Sequence, residues 1–192
     1  MDSEKATAAL QHAEALDAQR LPWEGYWQEL ADVIHPRRAL ITHQQSADST
    51  PDRSKIAENL DGTAMRANRT LANGQASRIT PMGSRWFALR PPTDLQNNPA
   101  AQRWYQRCGE ITLEALAASN FYNRAHEHYL DRGAFGIAAT ETVAGRHGKG
   151  LHFRSFPVGS YSVAHNGRDE VDTLARCYRL TPAQIIDIFP EE

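Results

Sequence analysis

With 192 residues, 41% of them hydrophobic, the chain is long enough for one domain or two small ones, burying about 70% of its unfolded surface on folding. Its 21 basic and 23 acidic side chains nearly cancel, which excludes a protein that holds nucleic acid by overall charge. Two cysteines, Cys108 and Cys177, stand outside any CxxC spacing and suit a reducing compartment, while MDSEKATAAL lacks the pattern of a signal peptide and no apolar run reaches the about 18 residues of a membrane span.

In chain order, Asp2 or Ser3 can cap a first helix reaching about Arg20, with Ala9, Leu10, Ala13 and Leu16 on a weak apolar face. Leu21-Pro22 is expected to break it, with Pro22 opening a second helix. There Trp23, Tyr26, Trp27, Leu30, Val33 and Ile34 follow the i, i+3, i+4, i+7 spacing of a core-facing stripe. His35-Pro36 ends it. Residues 37–53 are polar and read as a loop that is mobile or ordered only by a partner.

A helix is expected over residues 54–79. Leu60, Ala64, Ala67, Leu71 and Gly74 form its apolar face, small enough to admit another helix closely, and Gly62, Arg66, Arg69, Asn73 and Ser77 form the opposite stripe. Thr80-Pro81-Met82-Gly83 halts it ahead of an aromatic strand near residues 85–90. From Asp61 to Arg90 there are five arginines against one acid, Asp61. This is either a solvated face or a surface for phosphates or an acidic neighbouring subunit.

After the breaker Arg90-Pro91-Pro92, a long helix begins near Pro99 with Trp104, Cys108, Ile111 and Ala115 on one face and an Arg107–Glu110 pair on another. Ser119-Asn120 interrupts it, and a further helix runs from Phe121 to Arg132 with Gly133 as C-cap. From residue 134 the period changes. Residues 137–144, 151–156, 161–164 and 171–180 read as strands of an antiparallel meander, turned by the glycine-rich 145–150 segment and by Asn166-Gly167, a type I′ pair. Thr181-Pro182-Ala183-Gln184 then signs a capping box, with Ile185, Ile186 and Phe189 on the apolar side of the last helix. The fold class is α+β, with a mainly helical segment over 1–133 and a meander plus capped helix over 134–192.

No GxxxxGK[ST] loop, GxSxG elbow or HExxH pair occurs. His126 and His128 in His126-Glu127-His128 point about 200° apart on a helix and cannot share one ion. A metal-dependent nuclease would need acids and a lysine converging on a phosphate. Asp131, Glu141 and Lys149 are the candidates for that alternative, in which the chain is a small nucleic-acid-processing enzyme. A third reading is a stand-alone interaction module whose 37–53 loop folds on a partner. No catalytic residue, cofactor or metal ligand is assigned.

Several stretches in register carry a resemblance. WEGYWQELA followed by IHPRR, the helix running into TPMGSRWFAL, SNFYNRAHEHYLDRGAFGIAATETV and LHFRSFPVGSYSVAHNGRDEVDTLARCYRLTPAQIIDIF resemble, in that order, the N-terminal part of portal proteins, the head-to-tail connectors of short-tailed bacteriophages. The resemblance implies a structural virion protein. Such subunits form a ring, typically of twelve, at one capsid vertex, touching capsid protein while double-stranded DNA passes through without sequence specificity. Terminase and the tail adaptor meet the family through stem and clip regions that come later in its sequences, so the chain reads as the wing part of a longer or truncated protein. The implied location is the head–tail junction of the virion, and the host cytoplasm during assembly, with no membrane partner. Arg37, Arg38, Arg66, Arg69 and Arg78 are the candidate contacts to a neighbouring subunit or to phosphate.

Overall fold

The computed structural model describes residues 2–36, 41, 61–145, 148–177 and 180–188, and its first element already departs from expectation. One continuous helix, α1 (Asp2–Ile34), carries Pro22 inside it. Pro22 removes the N–H that would bond the Ala18 carbonyl. Both residues lie on the exposed side, which leaves that carbonyl open to solvent. On the packed side Arg20 bridges Asp17 at 3.6 Å and Glu24 at 3.0 Å, stapling the turns around the proline.

The next helix is α2 (Thr63–Ile79); the onset expected at residue 54 and the 37–53 loop, Ile41 aside, lie outside the described residues. A 3-10 turn (Thr93–Leu95) precedes α3 (Pro99–Ala118), whose N-cap Asn98 accepts from the Ala100 and Ala101 amides. α4 (Phe121–Phe135) follows. It passes through Gly133 and ends at Gly136, whose φ of 76° is the left-handed C-cap conformation that glycine adopts freely. Gly133 has a different use. A Cβ there would collide with the Asn68 side chain and crowd Leu71, so its lack of a side chain lets α2 lie against α4.

The β region forms two small sheets and not one meander. β1 (Ala139–Ala144) pairs antiparallel with β2 (Leu151–Phe156), and β3 (Ser162–His165) with β4 (Val171–Ala175). Between them Gly159, at φ 88°, brings the backbone against Ile41 and leaves no room for a side chain. Extended pairing is therefore broken where the chain enters the core. At the β3–β4 turn Asp169 holds the positive φ, 58°, and Gly167 does not. Asn166 Oδ1 accepts from the Arg168 and Glu170 amides and Asn166 N–H donates to the Glu170 carbonyl. The result is a longer turn than the two-residue I′ form, with a register shift between Ala164 and His165.

α5 (Pro182–Ile188) closes the order. Its capping box is reciprocal: the Thr181 amide donates to Gln184 Oε1 at 2.9 Å, and the Gln184 amide to Thr181 Oγ1 at 3.4 Å. The α+β class therefore holds, as helices, two antiparallel sheets and a short terminal helix.

No strand forms at residues 85–90. This extended segment is fastened by side chains. Trp86 stacks on Phe121 with ring centroids 6.0 Å apart and donates to Tyr122 Oη, while Arg85 reaches Glu110 at 3.0 Å. Phe121 in turn meets Phe153 edge-on at 5.1 Å. Asn120 exchanges two 2.8 Å hydrogen bonds with the Phe153 backbone, so a side-chain amide pairs with β2 as a strand would. The core comprises Leu16, Ala31, Ile41, Ala72, Leu116, Tyr129, Ala134, Phe153, Phe156, Val158 and Tyr161.

Candidate interaction surfaces

Helices α2 and α3 bury a face about one residue, or about 100°, away from their expected apolar stripe, and on α1 Ala31 is offset in the same way while Leu16 lies on the stripe. On α1 the buried positions are Leu16 and Ala31, while Trp23, Tyr26 and Val33 are 58%, 57% and 50% exposed. On α2 Asn68 and Ala72 are buried, and Ala67, Leu71 and Gly74 face outward. On α3 Gly109 and Leu116 go in, with Leu89 lying over Gly109, and Trp104 and Ile111 stay 61% and 50% exposed. Much of each expected core stripe thus stays exposed, although Leu16 is buried and Trp27, Leu30, Ile34, Cys108 and Ala115 are half-buried. The physical reason is approach distance: helices seat backbone against backbone only where side chains are small, and Ala31, Ala72, Gly109 and Gly133 allow it.

Asn68 is a buried polar residue in this contact and is anchored there. Its Nδ2 donates to the Leu130 carbonyl at 3.1 Å and lies 3.0 Å from His35 Nε2, while its Oδ1 has no hydrogen-bond partner. At the end of α2 the Thr80 and Tyr129 hydroxyls bond at 3.2 Å in the interior.

The candidate arginines fall on two flanks of α2. Arg66 and Arg69 lie about 60° apart around the helix, whereas Arg78 lies on the far side beside Leu71 and Gly74. All three are exposed. Arg66 reaches Thr63 Oγ1 at 3.4 Å and neighbours Asp61, whose carboxyl is held below its ordinary range first by the hydrogen bonds from Thr63 and then by Arg66. Among the described residues Arg69 and Arg78 have no ion-pair partner. Arg37 and Arg38 lie outside the described residues. Arg85 is committed to Glu110, which also accepts from Gln106 and Arg107; these bonds, Gln106 first, keep the Glu110 carboxyl below its usual value. The expected Arg107–Glu110 pair forms at 3.4 Å.

The nuclease set does not converge. Asp131 is buried on α4 at 2% exposure, Lys149 is exposed beyond the end of β1, and Glu141 is taken by its cross-strand neighbour Arg154 at 2.7 Å. Among the described residues no group of three or more His, Cys, Asp or Glu is arranged to hold a metal ion. His126 turns to Asn73 at 2.8 Å and His128 to Thr140 at 3.1 Å, on different elements. Burial, then the charge of Arg132, keeps His128 below the ordinary histidine value. Both cysteines are free thiols, and among the described residues no helix is long and apolar enough to cross a membrane.

Sequence reasoning missed a groove of about 420 Å³ between α1, the end of α4 and β3, walled by Leu16, Trp23, Trp27, Phe135, Ile137 and Val163. Polar residues of its lining are hydrogen-bonded to neighbouring groups. Arg20 Nη1 donates to the Gly159 and Tyr161 carbonyls, and Ser162 Oγ donates to Asp17. Tyr161 is buried with its hydroxyl unbonded, and burial, then the charge of Asp131, pushes its phenol well above the usual range. The mixed Asp17-x-x-Arg20-x-x-x-Glu24 spacing was the available signal, since i, i+3 and i+4 ions share one helix face. Such spacing does not reveal that a strand lies across it.

Comparison with known proteins covers almost the whole chain. Residues 6–192 match the model of the family described as "Bacteriophage head to tail connecting protein". The chain is similar to the "Probable portal protein" of Bordetella phage BPP-1, 29% identical over 92% of the chain, and to the "Portal protein" of Salmonella phage epsilon15, 28% identical over 91%. It spans 31% of the length of each of these relatives.

Proposed function

Since the chain belongs to the bacteriophage head to tail connecting protein family, we propose that it is part of a portal ring at the head–tail vertex, a structural element of the virion and not an enzyme. In this reading DNA enters the capsid and later leaves it through the ring, without sequence-specific contact. The ring is a dodecamer set among capsid subunits, and terminase and the tail adaptor meet it through parts of the longer family chains outside these residues. Assembly takes place in the host cytoplasm. Residues 1–133 and 134–192 act together as the wing, with Arg66, Arg69 and Arg78, and with them Arg37 and Arg38, facing a neighbouring subunit or phosphate.

The observation that carries the reading is the collinear match of residues 6–192 to the connector family, with both relatives bearing the portal name. The geometry agrees in kind. Long helices offer outward stripes while the polar groups inside are used for fastening, as in a subunit built to be packed against others. To test the reading, the chain is epitope-tagged in the phage or prophage that encodes it, and purified particles are labelled with gold. A single labelled vertex per particle is expected. Label absent from particles, or scattered over the capsid, overturns it.

A further inference from the structure

His35 follows the last residue of α1, its amide donating to the Ala31 carbonyl at 2.8 Å. Its side chain meets the α2–α4 contact at the buried amide. The ring lies against Phe135 with centroids 6.0 Å apart, and Nε2 is 3.0 Å from Asn68 Nδ2. The same Nδ2 donates to the Leu130 carbonyl at 3.1 Å. A carbonyl only accepts, so that contact fixes which atom of the amide is nitrogen. Turning the amide over would set Asn68 Oδ1 against the Leu130 oxygen and place the NH2 where Oδ1 now finds no hydrogen-bond partner. Both hydrogens of Nδ2 are therefore given out, one to Leu130 and one to His35. His35 Nε2 must accept, which makes the ring neutral with its proton on Nδ1.

We propose that the His35–Asn68 contact is a latch that acid opens. It holds the end of α1 on the α2–α4 pair while His35 is neutral, and releases it when His35 takes up a proton. Protonation turns the acceptor into a donor that faces a donor. Asn68 then gives up a hydrogen bond, to Leu130 or to His35, and at 7% exposure it has little access to water in exchange. The charged groups nearest in sequence on the elements that meet here are Asp32 on α1, Arg69 on α2, and Asp131 and Arg132 on α4. Asp32 accepts from Gln28 at 2.8 Å, Arg132 lies over the Tyr129 ring, Arg69 is exposed and Asp131 is buried. Arg37 and Arg38, outside the described residues, follow His35 in the chain. Asp32 and Asp131 are balanced in sign by Arg69 and Arg132, and the donor at Nε2 remains. A proton is thus bound more readily when the latch is open. Stability from this contact is present above the ordinary histidine value, about 6.5, and is lost as pH falls through that range. The latch belongs to a single chain and does not depend on a ring.

Imidazole nitrogen NMR of the isotope-labelled chain reads the state of the ring directly. At about pH 7.5 His35 is expected to show a bare Nε2 and a protonated Nδ1, and to keep that signature down to about pH 5.5, a unit below the ordinary histidine value. Urea denaturation of the parent and of His35→Gln, whose Oε1 is an acceptor that does not titrate, then reads the latch. Between about pH 7.5 and 5.5 the folded-to-unfolded ratio of the parent falls about five- to tenfold further than that of the variant, the linkage of one proton taken up on opening. His128, kept below the ordinary histidine value by burial and then by Arg132, is common to both chains and cancels. A His35 Nε2 that carries a proton at about pH 7.5, or a variant whose stability falls with acid as steeply as the parent's, overturns the latch. If His35→Gln does not fold, the imidazole spectrum of the parent decides.

Discussion

Between α2 and α4 the chain packs through Asn68, Ala72, Gly133 and Ala134, whereas on the outer sides of α1 and α3 it leaves Trp23, Tyr26, Trp104 and Ile111 half or more exposed. The inner contact is made of small residues and one buried amide, and the outer surfaces carry the large apolar area. Burial energy scales with apolar area removed from water. Intrachain packing here uses little of the area that α1 and α3 offer. What decides the inner contact is how closely two backbones can approach. The outer stripes take no part in that contact, and the chain folds with them exposed.

The sharpest way to break the comparison is at Gly133. Gly133→Leu places a side chain where Asn68 already sits and is expected to cost about 3 kcal/mol, read by urea denaturation. Gly133→Ala costs less, and Asn68→Ala in the same chain should relieve part of that cost. A double-mutant cycle measures the coupling, and additive effects would show that the two residues do not compete for space. Next in size is Arg20→Met, which removes the bonds tying α1 to the backbone at Gly159 and Tyr161. With Arg20 and Glu24 largely buried, a loss of about 2 kcal/mol is expected in the same measurement. The smallest effect is expected outside. Trp23→Ser leaves stability within about 0.5 kcal/mol of the parent, although it removes one of the two largest side chains of its helix. A loss as large as that at Gly133 would mean that the stripe is core after all.

Local signals were readable where the physics is local. The capping box at Thr181 and Gln184, the α3 start at Pro99, the Arg107–Glu110 pair and the alternation of β1 and β2 depend on residues within a few positions of one another, and they form as spacing dictates. Other features depend on partners far along the chain. Trp86 and Phe87 have the composition of a strand, but a strand needs a neighbouring edge, and here Phe121, Tyr122 and Glu110 hold the segment instead. Pro22 has the character of a helix break, yet the helix continues because its lost bond faces water and Arg20 staples the packed side. Gly133 looked like a helix end because glycine serves both as a cap and as a point of close contact. Only α2 lying across it distinguishes the two.

The candidate surface was legible in part. Arg66, Arg69 and Arg78 are exposed as their composition suggested, but their division between two flanks follows from the direction in which α2 turns its inner face. The sequence alone determined most of the element types, the Thr181–Gln184 capping box, the lack of a recognisable catalytic motif and the ordered likeness to the connector family. The tertiary structure alone decided which face of each helix goes inward. Hydrophobic periodicity reports where apolar area lies on a helix, whereas the inner face is selected by steric closeness and hydrogen bonding between elements far apart in sequence.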